Sequence, residues 1–284
     1  MAASLISTPD IADGIEYWNT QPATYDGVLG GYGTGTLPRI DSLGSRLFLL
    51  YLYPELSTVE SSFRPLEPKL PRRTRALDVG AGVGRVTSDV LLHLVSDVVL
   101  LEPVTPFVQE ALARGRASTS TEPRQRGQHP WKGIADQTKS VTILQGTLQE
   151  FDPLNPHRVK FLDRVGYQPP RPTDDINVGF DVIWCQWCLG HLSDPDLVSF
   201  FRRSHAALRE KEKGRSLFVV KENLCQDNAD GSACTLFDEQ DSSLTRSDKA
   251  WKNIFDQAGL RLVMEEVQHG LPEGLYVVKM YGLR

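Results

Sequence analysis

Short apolar runs alternate with stretches of helical period through most of the chain. Ala76–Val79 reads as a strand, because a run this short between turn residues suits a buried strand. Arg85 then opens a helix whose apolar face is Val86, Val90, Leu91 and Leu94. Val98–Leu101 is a second strand that ends on Glu102, and Thr105–Leu112 continues as a helix after Pro103. Val141–Leu144, Phe180–Gln186 and Arg215–Lys221 are the third, fourth and fifth strands. Between the last two lies an amphipathic helix, Asp194–Leu208, with Leu197, Phe200, Phe201 and Leu208 on its apolar side. Asp194 can cap it, and Pro195 suits its first position. A helix over Ser247–Gln257 is ended by Gly259, and strands Arg261–Val267 and Leu275–Leu283 close the chain. This alternation predicts an α/β, doubly wound sheet, mostly parallel, in which the closing hairpin makes one edge-region strand antiparallel.

The N-terminal part follows another pattern. Residues 1–14 read as a mobile arm. After Pro38 a helical period places Ile40, Leu43, Leu47, Leu50 and Tyr51 on one side and stops before Pro54. Gly27, Gly30, Gly31, Gly33 and Gly35 precede it and permit sharp turns. Two readings stand side by side: a helical lid packed for stability, or a cover in which Tyr17, Trp18 and the glycines close over a site. Residues 54–74 are a Pro- and Ser-rich connector. The division expected is an arm and helical lid over 1–74 and a catalytic domain over 75–284.

Two stretches interrupt the domain. Residues 114–140 lose all periodicity and carry Arg114, Arg116, Arg124, Arg126 and Lys132 against Glu122 and Asp136. They read as a solvated insertion, with contact to RNA or an acidic partner as the alternative. Residues 152–178 hold five prolines and read as a second surface loop, and 224–236 as a flexible loop.

Composition narrows the function classes. A hydrophobic share of 40% supports a substantial core, and a net charge of −5 argues against nonspecific nucleic-acid binding. No run of apolar residues is long enough to span a bilayer. The first residues lack the basic and apolar regions of a secretory signal. Four cysteines make no disulfide framework, so a reducing compartment, cytoplasm or nucleus, is expected.

The glycine turn after the first strand carries the candidate chemistry. Its spacing is Gly80-x-Gly82-x-Gly84, followed by Arg85. The nicotinamide fingerprint is G-x-G-x-x-G, so the third glycine comes one residue early, and no Walker sequence is present. G-x-G-x-G after an L-D-V strand is the pattern of S-adenosylmethionine (SAM) methyltransferases. Arg85 could pair with the SAM carboxylate, and Glu102 would accept from the ribose hydroxyls. The polar turn Thr147-Leu148-Gln149 follows the third strand. Beyond the fourth strand comes WCQWCLGH, residues 184–191. A redox motif needs its first cysteine at a helix N-terminus, and none begins there, so Cys185 and Cys188 read as packing residues. Cys225 and Cys234 lack the paired spacing of a metal site. His191 is either a structural histidine or, with Gln186 and Trp187, part of the chemistry that open α/β sheets place at this end.

DVGAGVGR, WCQWCLGHL, VKENL, Asp241-Ser-Ser and the closing LPEGLYVVKMYGLR, with YW and DGVLGGYG nearer the start, resemble the eukaryotic protein α-N-terminal methyltransferases. The resemblance runs from Tyr17 to Arg284, broken by the two insertions. It implies a class I SAM-methyltransferase fold with an N-terminal helical extension. The implied activity is methyl transfer from SAM to the α-amine of proteins beginning Xaa-Pro-Lys, ribosomal proteins among them. It further implies cofactor contacts at Gly80, Arg85, Glu102, Pro103, Val104, Leu148, Gln149 and Gln186. Trp187 would wall the substrate proline, and Asn223 would hold the substrate backbone. His191 and Asp241 resemble the groups that remove the proton. Asp238 would face the substrate lysine, with Trp18 and Tyr276 lining the site. The chain departs from the family in the loop before Asp238, NLCQDNADGSACTLFDEQDSS, which is longer.

Overall fold

The computed structural model describes residues 8–60, 70, 72–120, 130–171, 175, 178–211 and 214–284. The first part of the expected arm, much of the connector, residues 121–129 and part of the second insertion lie outside them. β1 (Arg75–Val79), β2 (Asp97–Glu102) and β3 (Ser140–Gln145) pair in parallel. Beyond β1 follow β5 (Val182–Gln186) and β6 (Leu217–Cys225), also parallel. Every residue of β1, β2 and β5 is buried. A strand covered on both faces favours apolar residues in succession rather than in alternation, as Val98–Leu101 of β2 and Val182–Cys185 of β5 show. The shared register aligns Val79 with Leu101 and with Cys185, so Gly80, Glu102 and Gln186 leave the sheet at one end.

At one edge β10 (Val277–Leu283) lies antiparallel between β6 and β9 (Leu262–Val267), as the closing hairpin predicts. The other edge departs from expectation. The Pro-rich second insertion is not all loop: it contributes β4 (Lys160–Gly166), antiparallel to β3. β4 is half-exposed and has no partner strand on its outer side among the described residues, a position that tolerates the flanking prolines. The supposed flexible loop 224–236 is shorter too. Leu224 and Cys225 belong to β6, while β7 (Thr235–Asp238) pairs with β8 (Ser243–Ser247), which joins β6.

The helices are α1 (Ile11–Thr20), α2 (Tyr25–Val28), α3 (Leu37–Leu52), α4 (Leu92–Leu94), α5 (Thr105–Ala117), α6 (Asp194–Ala206) and α7 (Asp248–Ala258). α1 starts inside the supposed mobile arm, because the Asp10 carboxylate caps the amides of Ala12 and Asp13. α6 is capped by Ser193 rather than Asp194, and its Leu197, Phe200 and Phe201 are buried as expected. Ser247 caps α7, and Gly259 ends it in the left-handed conformation.

α3 turns a different face to the core from the one its leucines suggest. Leu37, Asp41, Ser45, Phe48 and Leu49 are buried, whereas Leu43, Leu47 and Tyr51 are exposed. The first insertion is also anchored: Trp131 is buried against Gly84 and Gly115, and its amide donates to Ser118 Oγ at 2.9 Å.

Candidate active site

The cleft opens at the carboxyl ends of β1, β2 and β5, where sheets of this kind bind ligands. Gly80 has φ +60°, and a Cβ there would strike the Cys188 side chain. Gly84 has φ +78° and lies against Trp131. Both positions therefore exclude other residues for reasons of backbone and space together. Cys188 fills the gap and donates its S–H to the Val79 carbonyl at 3.2 Å. Burial pushes the thiols of Cys185 and Cys188 far up, so neither is a ready nucleophile, and both serve packing.

Glu102 accepts from the amides of Gly82 and Val104, both at 2.8 Å. It is 4% exposed, and burial raises its pKa to about 7. Such a carboxylate gains from any further donor a ligand brings. Arg85 begins a helix interrupted by a π-helical turn, Thr87–Leu91, before α4. Arg46 of α3 donates to the Asp89 carbonyl inside that turn at 2.7 Å, and Thr87 donates to Asp78 at 2.6 Å. Gly80, Arg85, Glu102, Pro103, Val104, Leu148, Gln149 and Gln186 all line this one cleft.

Trp18, Trp187 and His191 line the same cleft. Trp187 is held at φ +54°, a strained conformation for a bulky residue. Its amide donates to the Lys221 carbonyl at 3.1 Å, and the next two amides, Cys188 and Leu189, donate to Glu222 at 3.0 Å each. His191 Nε2 accepts from the Trp18 indole N–H at 3.0 Å. The neutral imidazole must then carry its proton on Nδ1. Burial lowers the His191 pKa and the nearby Asp241 carboxylate opposes this, so the ring is neutral at pH 7.

Gly14 of α1 passes beside His191 Nδ1 and the Asp241 backbone, where a Cβ would crowd the ring. Asp241 Oδ1 is buried with no hydrogen-bond partner among the described residues. Burial first, then Asp241 and Asp238, raise the Tyr17 pKa, so both acids lie on the side of Tyr17. Asp238 ends β7 and is exposed, Tyr276 is 53% exposed, and Asn223 sits half-buried in β6 opposite Val278. These three and Asp241 lie outside the cleft lining.

The N-terminal helices cover the site. Trp18, Tyr25 and Val28 pack on Val83, Val104 and Phe107. Arg114, assigned to the solvated insertion by sequence, instead bonds the Val83 carbonyl and the Tyr25 hydroxyl, each at 2.9 Å, tying α2 to the glycine turn. The amide of Asp10 donates to Ser242 Oγ at 2.8 Å, tying the start of α1 to the turn after Asp241.

Sequence reasoning missed four polar residues that organise the site. Asp41 and Lys221 are fully buried beside Arg85 and Gln186. Glu222 holds the Trp187 turn, and Arg246 of β8 grips the carbonyls around His191. The available signal for Asp41 was its helical spacing with Leu37, Ser45 and Phe48.

Residues 8–284 match the protein family described as AdoMet dependent proline di-methyltransferase. The chain belongs to this family. Its members depend on SAM, and the glycine turn, the donor-hungry Glu102 and Arg85 in the cleft lining fit that cofactor. Alpha N-terminal protein methyltransferase 1 of Schizosaccharomyces pombe is 35% identical over 272 residues, which covers 96% of this chain and 94% of the relative. N-terminal Xaa-Pro-Lys N-methyltransferase 1 of Xenopus tropicalis is 31% identical over 270 residues, with 95% and 92% covered. Among solved structures, a SAM-dependent methyltransferase from Leishmania major is similar with a TM-score of 0.64 and 30% identity, covering 96% of this chain and 82% of that one. The protein is thus a class I SAM-dependent methyltransferase, and its relatives act on protein N-termini.

Proposed function

We propose that the protein methylates the α-amine of proteins that begin Xaa-Pro-Lys. The observation that carries this is a buried acceptor without a partner, Asp241 Oδ1, near a neutral imidazole that lines the cofactor cleft together with a strained tryptophan. SAM supplies a methyl group on a sulfonium, open to in-line displacement by a neutral amine. Gly80, Arg85, Leu148, Gln149 and Gln186 hold its amino-acid and nucleoside parts in this reading. Glu102 with Pro103 and Val104 holds the ribose and adenine.

An α-amine has a pKa of about 7.7–8.0, so roughly a tenth of it is neutral at pH 7. It therefore needs only modest help from a base. In the present arrangement the His191 Nε2 lone pair is taken by Trp18. Asp241 is the immediate acceptor, and His191 serves as base only when Trp18 lets go. The Trp187 ring is a flat wall for the proline of position two, and Asn223 holds the peptide backbone. Asp238, exposed at the mouth, faces the lysine of position three, and Tyr276 borders it. The N-terminal helices 11–52 act as the lid. Ribosomal proteins are the substrates this reading names first, and four unpaired thiols suit a cytoplasmic or nuclear enzyme.

Intact mass of peptides beginning Ser-Pro-Lys and Pro-Pro-Lys, after incubation with SAM, tests the claim. Gains of one or more methyl groups at the N-terminus are expected. No gain on either peptide, with SAM bound, would reject the substrate class. A second expectation concerns Glu102. Ribose hydroxyls that donate to it favour its carboxylate, so its raised pKa falls on binding and a proton is released. The affinity for 5′-methylthioadenosine, which keeps the ribose and lacks a titrating amine, should rise about five- to tenfold from pH 6 to pH 8. Glu102→Gln should abolish that slope. A slope unchanged in the variant would take Glu102 out of the ribose site.

A further inference from the structure

We propose that Lys221 and Asp41 are positioning residues for the cofactor carboxylate, acting through Arg85; this rests on the reading that Arg85 meets that carboxylate. One acid is shared by two cations. Arg85 Nη1 donates to Asp41 Oδ2 at 2.6 Å, and Lys221 Nζ lies 2.6 Å from Asp41 Oδ1. Gln186 Nε2 donates to the same Oδ1 at 2.8 Å and receives the Trp184 indole N–H on its own oxygen. Asp41 and Lys221 are wholly buried and Arg85 nearly so.

The three groups are used very differently. Lys221 spends all its donors inside the protein, on Asp41, Ser45 Oγ at 3.0 Å and Gln268 Oε1 at 2.9 Å. Asp41 has both oxygens engaged. Arg85 makes one hydrogen bond, and the rest of its fork has no protein partner among the described residues. The Trp187 ring packs 5.4 Å from that guanidinium and limits how it can turn.

A buried ion cluster is a poor way to stabilise a fold compared with packed apolar groups, so its specific geometry calls for another role. Lys221 supplies one. By sharing Asp41 it leaves Arg85 fixed through one nitrogen yet incompletely neutralised, with its free edge toward the cleft. Asp78, the other acid at this end of the cleft, is engaged by Thr87 and suits the ammonium of the ligand. Carboxylate and ammonium of the zwitterion thus meet opposite charges. The cluster also makes α3, outside the sheet, part of the cofactor site.

Calorimetric titration of Lys221→Gln with SAM and with decarboxylated SAM separates this role from a structural one. With Lys221 neutral, Asp41 compensates Arg85 fully. SAM affinity should fall about tenfold, while affinity for decarboxylated SAM stays within roughly twofold of wild type. Ser45→Ala keeps every charge and only loosens Lys221, so it should show the same selectivity at about two- to threefold. It carries the test if the first variant does not fold. Equal loss for both ligands, or no loss for either, overturns the proposal. A wild-type protein that binds both ligands equally would instead remove the contact between Arg85 and the carboxylate.

Discussion

Asp241→Asn is expected to slow methyl transfer about 10²–10⁴-fold at saturating peptide, while SAM affinity stays within about twofold of wild type. The substitution keeps the shape and removes the proton acceptor. Its Oδ1 is the buried atom left without a partner, so the loss should fall on kcat rather than on folding. His191→Ala should cost less, roughly 10–10²-fold, because the ring's Nε2 is already occupied by Trp18 and its part is to hold the wall beside Asp241. The pH profile adds a second check. Burial lowers the His191 pKa, so the ring is neutral from its depressed pKa upward and contributes no limb above pH 6.5. Wild-type kcat/KM should therefore rise once with pH, following the α-amine of the peptide near pH 8, and then level off. If both variants weaken SAM binding as much as they slow turnover, these residues belong to the cofactor site.

The part of the cleft from Gly80 to Val104 was open to sequence reading because these residues are close in the chain and have local reasons. Gly80 and Gly84 need left-handed backbone and back onto Cys188 and Trp131, while Glu102 ends a strand next to them. The alternation of apolar runs likewise led to the parallel sheet. What stayed hidden was set by tertiary contact. α3 carries a convincing stripe of leucines, yet the chain buries Asp41 and Ser45 instead, because Arg85 and Lys221 offer partners that no helical period can announce. Such conflicts between local pattern and fold gather at functional sites. β4 was lost in a Pro-rich stretch because an edge strand needs pairing on one side only. Arg114 looked like one more surface charge until α2 was folded against it.

Arg246→Met should lower both stability and turnover. Arg246 is fully buried and its guanidinium is spread over one turn. It donates to the carbonyls of Leu189 at 3.3 Å and Leu192 at 2.7 Å, and to Asp194 at 2.9 and 2.7 Å, and it stacks on Trp251. His191 lies between those two carbonyls in the chain, and Asp241 lies on the turn leading into β8. One side chain therefore ties the turn that carries His191 to the strand that follows Asp241. Asp194 is 55% exposed and rehydrates when its partner leaves, so its ion pair adds little. The Leu192 carbonyl loses its donor in the interior, while that of Leu189 keeps the Leu192 amide at 3.3 Å, which costs on the order of 2 kcal/mol in total. A melting temperature lower by roughly 4–8 °C should follow. Arg246→Lys keeps the charge but not the planar fork, so it should recover part of the stability and little of kcat. A Met variant that melts within about a degree of wild type and turns over normally would mean that the turn holds itself, and that His191 owes its place to Trp18 and Gly14 alone.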